Sequence, residues 1–140
     1  MAAFRHEIYI KASIDAVFAA VANVREHPKW QSGLVETAVN SPVPRAGERG
    51  IEVRRLLGRT SRFPYEITYF EPPHKWGFRA LEAPIRPAAV LSFKTTGVGT
   101  TITSDLVIPG ILGWLLGPML LRQQKRNYVK LKALLETGAL

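Results

Sequence analysis

"SIDAVFAAVANVREHPKW", residues 13–30, contains the first helix of the chain and the break that ends it. Ser13 offers an N-cap, and Asp15 stands in the first turn, where the helix dipole favours an acid. Apolar residues then recur at helical spacing, which predicts a short amphipathic helix. They are Ile14, Val17, Phe18, Val21 and Val24. Pro28 disfavours helical geometry in the residue before it, so we expect a turn and a second short helix that carries Trp30 inward.

Strand patterns lie on both sides of this stretch. "FRHEIYIKA", residues 4–12, alternates apolar and polar side chains with the period of a half-buried strand. Residues 34–108 contain more short strand patterns separated by turn residues, which is typical of an antiparallel meander. These segments are LVETAVN, GIEVRRLLG, FPYEITYF, WGFRAL, AAVLSFKT and TTITSDLVI.

Alternation within three of these strands predicts which side chains share a face. One face of GIEVRRLLG carries Ile51, Val53, Arg55 and Leu57. The apolar faces of FPYEITYF and WGFRAL carry Tyr65, Ile67, Tyr69, Trp76, Phe78 and Ala80. The aromatic members Tyr65, Tyr69, Trp76 and Phe78 belong to elements that we expect to surround one cavity.

The pattern after Gly110 is helical, with apolar residues in steps of three and four and Gly138 placed to end the helix. No linker or repeat divides the 140 residues, so residues 1–140 form one domain. The order of strand, short helices, strands and long helix predicts the α+β class.

These patterns together resemble the START/polyketide-cyclase superfamily, also called SRPBCC or helix-grip proteins. The residues that carry the resemblance are Ser13, Val17, Phe18, His27, Pro28, Trp30, Pro72, Pro73 and "LKALLE" at residues 131–136. The resemblance implies a curved antiparallel sheet of about seven strands wrapped around a long C-terminal helix, with two short helices after the first strand. It also implies an apolar cavity between the sheet and that helix. Ile14 differs from members of this superfamily, which often have proline at the corresponding position.

The composition excludes several classes of protein. Apolar residues make up 46% and charged residues 21%, which excludes a disordered chain, and the absence of cysteine excludes disulfides and thiolate metal sites. The charged start "MAAFRHEIYIKAS" does not resemble a secretory signal, so we expect a cytoplasmic protein. The oligomeric state stays open.

The net charge of +8 is concentrated in two clusters. Residues 45–62 hold six arginines and two glutamates, while residues 122–132 hold five cations and no acid. We interpret both as a solvated basic surface, with transient contact to an anionic membrane as an alternative. Such a surface also attracts nucleic acid, but few aromatics lie among the arginines, and we expect no specific nucleic-acid partner.

"VIPGILGWLLGPMLL", residues 107–121, is the most apolar part of the chain. It is shorter than the roughly 20 residues of a membrane span and is interrupted by Gly113, Gly117 and Pro118. We expect it to begin the C-terminal helix and close a cavity. The alternative is a mobile flap that touches lipid, because glycine and proline loosen a helix.

Groups for catalysis are sparse. The three histidines do not form a metal-binding pattern, and neither a nucleophilic serine motif nor a phosphate-binding loop is present, so we predict no metal and no cofactor. The weak catalytic candidates are Tyr65, Tyr69, Arg55 and Glu66.

The leading hypothesis is a non-enzymatic protein that binds a hydrophobic small molecule: a lipid, an isoprenoid or a polyketide-like compound. Aromatic walls suit such ligands. The predicted ligand-binding residues are Trp30, Val53, Ile67, Trp76, Phe78, Leu91, Phe93, Trp114, Leu115, Met119 and Tyr128. A metal-free cyclase or aromatase acting by acid–base positioning is the second hypothesis, and a basic, toxin-like regulatory protein is the third.

Overall fold

A computed structural model describes residues 2–56, 58–82 and 85–140 of the chain. Leu57, the last residue of the predicted face in the third strand, lies outside the described residues. In chain order the elements are β1 (Ala2–Ile10), α1 (Ile14–Ala22), a 3-10 helix (Val24–Lys29), β2 (Leu34–Ala38), β3 (Arg49–Leu56), β4 (Arg59–Glu71), β5 (Lys75–Ala80), β6 (Ala88–Thr96), β7 (Gly99–Ile108) and α2 (Ile111–Glu136).

The strands form one curved antiparallel sheet in the order β1-β7-β6-β5-β4-β3-β2. Each strand from β2 to β6 pairs with the next in the chain, as a meander requires, whereas β1 closes onto β7. Ala2 lies opposite Ile108, and Ile10 lies opposite Thr100. The seven-stranded sheet, the two short helices and the long final helix confirm the predicted helix-grip architecture.

The first helix begins where its N-cap predicts. The Ser13 hydroxyl accepts a hydrogen bond from the Ala16 backbone N–H at 3.2 Å, which satisfies one of the free donors of the first turn. The 3-10 helix contains Pro28 and leads directly into Trp30, whose side chain is buried. The predicted inward position of Trp30 is confirmed.

A bulge interrupts the pairing of β4 with β5 between Ile67 and Tyr69. Tyr65 and Ile67 are buried, but after the bulge the alternation is reversed and Tyr69 is exposed. Phe70 packs inward instead, with its ring centroid 5.8 Å from that of Phe18. The predicted shared face of Tyr65, Ile67 and Tyr69 is therefore wrong at Tyr69, because an extra residue shifts the period of two.

Two buried glycines let α2 lie close to the strands beneath it. A Cβ atom at Gly113 would collide with the backbone of Ile108, and one at Gly117 would stand 2.8 Å from the ring of Phe4. The helix continues through Pro118 without a break. The glycines therefore serve close packing here.

The core lies between the concave face of the sheet, α1 and the second half of α2. Its largest fully buried side chains include Ile10, Val17, Val21, Ile67, Leu91, Ile102, Ile108 and Leu131. Within the described part of the chain, neither α1 nor α2 has the length and hydropathy of a membrane-spanning segment.

Candidate functional site

A cavity of about 440 Å³ lies between the sheet, the 3-10 helix and α2. Inward-facing positions of β3, β4, β5 and β7 form one wall, because alternate side chains of a strand share a face. Turns of α2 form the other wall. The apolar and aromatic lining consists of Val24, Trp30, Phe63, Pro64, Tyr65, Trp76, Phe78, Ala80, Ile85, Pro87, Leu106, Leu116, Met119, Leu120 and Tyr128.

An aromatic cluster forms part of the cavity wall. The Trp30 indole stacks on Tyr128, with ring centroids 5.7 Å apart and an angle of 28° between the planes. His27 contacts Trp30 and Trp76 edge-on, at centroid distances of 4.9 and 5.8 Å. These contacts join the 3-10 helix to β5 and α2, so this part of the wall is held from three sides.

His27 is buried within this cluster in its neutral form. Its Nε2 donates to the Val21 carbonyl oxygen at 2.6 Å, which leaves Nδ1 as the unprotonated acceptor of the neutral ring. Burial lowers the pKa of His27 to about 4, and the positive charge of Arg54 acts in the same direction. The bond to Val21 opposes both effects. The imidazole is therefore uncharged at pH 7.

Two hydrogen-bond donors in the wall lack an acceptor. The indole nitrogens of Trp30 and Trp76 are buried and have no hydrogen-bond partner among the described residues. An indole N–H can only donate, and burying it unpaired costs free energy. Both nitrogen atoms are enclosed by protein, so two unpaired donors lie inside the wall.

A polar cluster lies on another part of the wall. Arg54 Nη2 donates to Glu52 Oε2 at 2.7 Å and to Gln31 Oε1 at 2.8 Å. All three residues line the cavity, and the ion pair is largely buried. Glu52 and Arg54 lie on β3, two strands from Trp76 on β5, which corresponds to roughly 10 Å across the sheet.

A second polar group lies where α2 crosses the sheet. Gln124 Oε1 accepts from His6 Nε2 at 2.8 Å and from the Ser104 hydroxyl at 3.1 Å. Burial raises the pKa of the neighbouring Tyr128, and a hydrogen bond with Ser104 opposes that rise. These bonds satisfy buried polar atoms and fix the position of α2 over β1 and β7.

Tyr65 places its hydroxyl group 2.8 Å from the Thr37 hydroxyl oxygen. Burial is the main cause that raises the pKa of Tyr65 to about 12, and the charge of Glu52 adds to it, while the bond to Thr37 lowers it. The phenol therefore stays protonated at neutral pH. In this state it can donate a hydrogen bond or polarise a carbonyl.

The structure brings five of the predicted ligand-binding residues together around the cavity: Trp30, Trp76, Phe78, Met119 and Tyr128. Three others lie in the packed core and do not reach the cavity, namely Ile67, Leu91 and Phe93.

The remaining three predicted ligand-binding residues also lie away from the cavity. Val53 is buried on the face of β3 that points away from the cavity, because Glu52 and Arg54 occupy the cavity-facing positions of this strand. Trp114 and Leu115 are 67% and 70% exposed. They lie on the outside of α2 because Gly113 and Gly117 occupy the inner side of these turns.

Of the four weak catalytic candidates, Tyr65 lines the cavity and the other three do not. Tyr69 is exposed after the bulge, and Arg55 is exposed on the outer face of β3. Glu66 pairs with arginines of the two neighbouring strands at 3.3 and 3.4 Å.

Sequence reasoning missed the polar part of the lining, which includes His27, Gln31, Glu52, Arg54, Gln123, Gln124 and Asn127. For β3 the structure shows the reason at Gly50. A Cβ at Gly50 would stand 2.6 Å from the Tyr65 hydroxyl oxygen, so this glycine lies on the inward face of the strand. Counting in steps of two from Gly50 places Glu52 and Arg54 on that face.

Comparisons with known proteins agree with this architecture. The family model described as "Polyketide cyclase / dehydrase and lipid transport" matches residues 1–136. Among solved structures, a START superfamily protein from Mycobacterium smegmatis aligns with a TM-score of 0.74 at 14% identity, covering 96% of this chain and 97% of its own. The protein NE0264 from Nitrosomonas europaea aligns with a TM-score of 0.80 at 15% identity, covering 97% and 95%.

The di-domain aromatase/cyclase StfQ of the steffimycin biosynthetic pathway also aligns, with a TM-score of 0.80 at 14% identity. The alignment covers 98% of this chain and 52% of StfQ. At these identities the structural matches establish the fold alone. No curated protein matches the sequence.

Proposed function

We propose that this chain, which belongs to the polyketide cyclase/dehydrase and lipid transport family, binds one hydrophobic small molecule in the cavity between the sheet and α2. The proposed ligand is a lipid, an isoprenoid or a polyketide-like compound. The observation that carries the proposal is a cavity of about 440 Å³ with a mainly apolar and aromatic wall. Small-molecule sites commonly enclose roughly 300–1,000 Å³ and have this kind of lining.

The free energy of binding in such a cavity comes mainly from apolar burial, at about 25 cal/mol per Å² removed from water. Because the cluster around His27 holds Trp30 and Trp76 through several ring contacts, these rings need little reordering when a ligand enters. We therefore propose a mainly apolar ligand.

A cyclase-type reaction is the second candidate function, and Tyr65 supports it. Tyr65 lines the cavity and its hydroxyl stays protonated, so the phenol is the group that can donate to the carbonyl of a bound chain and polarise it. Holding a folded chain in a reactive geometry contributes to catalysis without a strong nucleophile. This function requires the same bound ligand class as the first.

The test is to purify the protein under native conditions, extract it with organic solvent and analyse the extract by mass spectrometry. Ala80→Trp places a large side chain at the cavity wall, whereas Ala88→Trp adds the same group on the outer face of the adjacent strand. We expect an apolar compound from the native chain and from A88W, and a strongly reduced amount from A80W.

A fluorescent probe, 1-anilinonaphthalene-8-sulfonate, extends the test to protein that has lost its ligand. Probe emission that is enhanced by the native chain and A88W but not by A80W supports binding in the cavity. An empty extract together with equal probe emission for all three proteins contradicts the proposal. Turnover of a cyclisable polyketide chain that is lost in Tyr65→Phe would select the second candidate.

A further inference from the structure

The first three turns of α2 present an apolar face to solvent. Its members are between 41% and 80% exposed: Ile111, Leu112, Trp114, Leu115 and Met119. A face of this kind on one short segment differs from the scattered apolar residues found on most protein surfaces. The inner side of the same turns is occupied by Gly113 and Gly117, so the large side chains are left on the outside.

The same face becomes cationic in the following turns. Steps of three and four from Ile111 and Leu115 lead to Arg122, Lys125 and Arg126, which are all exposed. Residues 111–135 contain no acidic side chain. One surface of α2 therefore joins an apolar end to a positively charged continuation.

We propose that this surface docks the protein onto an anionic lipid bilayer. Helices that lie in the membrane interface combine bulky apolar residues, including tryptophan, with lysine and arginine, and they bury the apolar side about 5–10 Å deep. Residues 111–119 span about 12 Å of helix, so their face can enter the interface while the cations that follow stay at the headgroups. Negatively charged headgroups complement those cations.

A second copy of the chain fits this surface less well. Two such faces packed against each other would bring cations of one copy near cations or apolar residues of the other, since the face itself contains no acid. A bilayer accommodates both parts of the face at once. We therefore commit to the anionic bilayer as its partner.

Docking here would bring the cavity next to the bilayer. Met119 belongs to the exposed face and also lines the cavity, and Leu116 and Leu120 continue that wall. Ligand exchange through this wall rests on the proposed cavity function, whereas membrane docking itself does not.

The test uses ligand-free protein and two kinds of vesicle, one of phosphatidylcholine and one of equal parts phosphatidylglycerol and phosphatidylcholine. We expect sedimentation with the anionic vesicles only, weakened by salt. Because Trp30 and Trp76 are buried, a blue shift of tryptophan emission on binding reports Trp114 entering the interface. Leu115→Glu should weaken binding at least about tenfold.

Val98→Glu is the matched control, because Val98 is 77% exposed on the β6–β7 turn, at the opposite end of β7 from α2. It should bind the anionic vesicles like the native chain. Equal binding by the native chain, L115E and V98E would overturn the proposal, as would the absence of binding by the native chain. Concentration-dependent self-association that L115E alone abolishes would assign the face to a second copy and also overturn it.

Discussion

His27 donates its Nε2 hydrogen to the carbonyl oxygen of Val21, six residues earlier in the chain. Val21 lies in α1 and His27 in the 3-10 helix, so the bond joins the two short helices that lie between β1 and β2. The same imidazole contacts Trp30 and Trp76 in the cavity wall. Its protonation state therefore affects both the stability of the fold and the shape of the site.

We expect the protein to lose stability in mild acid because of His27. Its pKa is about 4 in the folded protein and 6.5 ordinarily, so between these values the unfolded chain binds the additional proton. The neutral His27 side chain therefore contributes on the order of 3 kcal/mol to the free energy of unfolding. This contribution is complete above about pH 6.5 and is lost as the pH falls toward about 4. Urea denaturation across this range measures it.

His27→Gln provides the control for this prediction, because the amide keeps a donor for Val21 but does not titrate. Carboxylates also contribute in acid, so the informative quantity is the difference between the two proteins. The free energy of unfolding should fall more steeply with decreasing pH in the native chain. Parallel curves for the two proteins would show that His27 is not the source.

Gly113→Ala should destabilise the protein, although alanine stabilises a helix by up to about 1 kcal/mol relative to glycine. The new Cβ would meet the carbonyl of Ile108, a backbone group that moves little, and we expect a loss of about 1–3 kcal/mol. Gly117→Ala meets the far end of the Phe4 ring and should cost less. Thermal unfolding shows which of the two variants loses more stability. A rise in Tm for G113A would contradict the close packing of α2.

Glu66→Gln should leave ligand binding unchanged. The carboxylate lies outside the cavity and pairs with arginines whose side chains are 53% and 69% exposed, so the loss of stability should stay below about 1 kcal/mol. Probe binding and urea denaturation check both points. A loss of probe binding in a variant that keeps its fold would show that Glu66 contributes to ligand binding.

Much of the fold could be predicted because local patterns and long-range packing agree. The Ser13 cap, the alternation in β1 and the helical spacing after Gly110 each specify one element, and the structure confirms them. The bulge after Ile67 could not be predicted in this way, since it depends on the pairing of β4 with β5.

The site was less accessible to sequence reasoning, for two physical reasons. In β3 the apolar residue Val53 is buried on the outer face, while Glu52 and Arg54 face the cavity and satisfy each other's charges. Apolar periodicity alone assigns that strand to the opposite face. In α2 the bulky residues were expected inside, but the glycines take the inner positions.

The pairing of β1 with β7 has a consequence for how the chain reaches its native state. Ala2 and Ile108 lie opposite each other although more than a hundred residues separate them. During synthesis the first strand has no native neighbour until nearly the whole sheet has left the ribosome, and only then can α2 cover it. Such distant pairing slows folding, and we expect refolding in about milliseconds to seconds rather than microseconds.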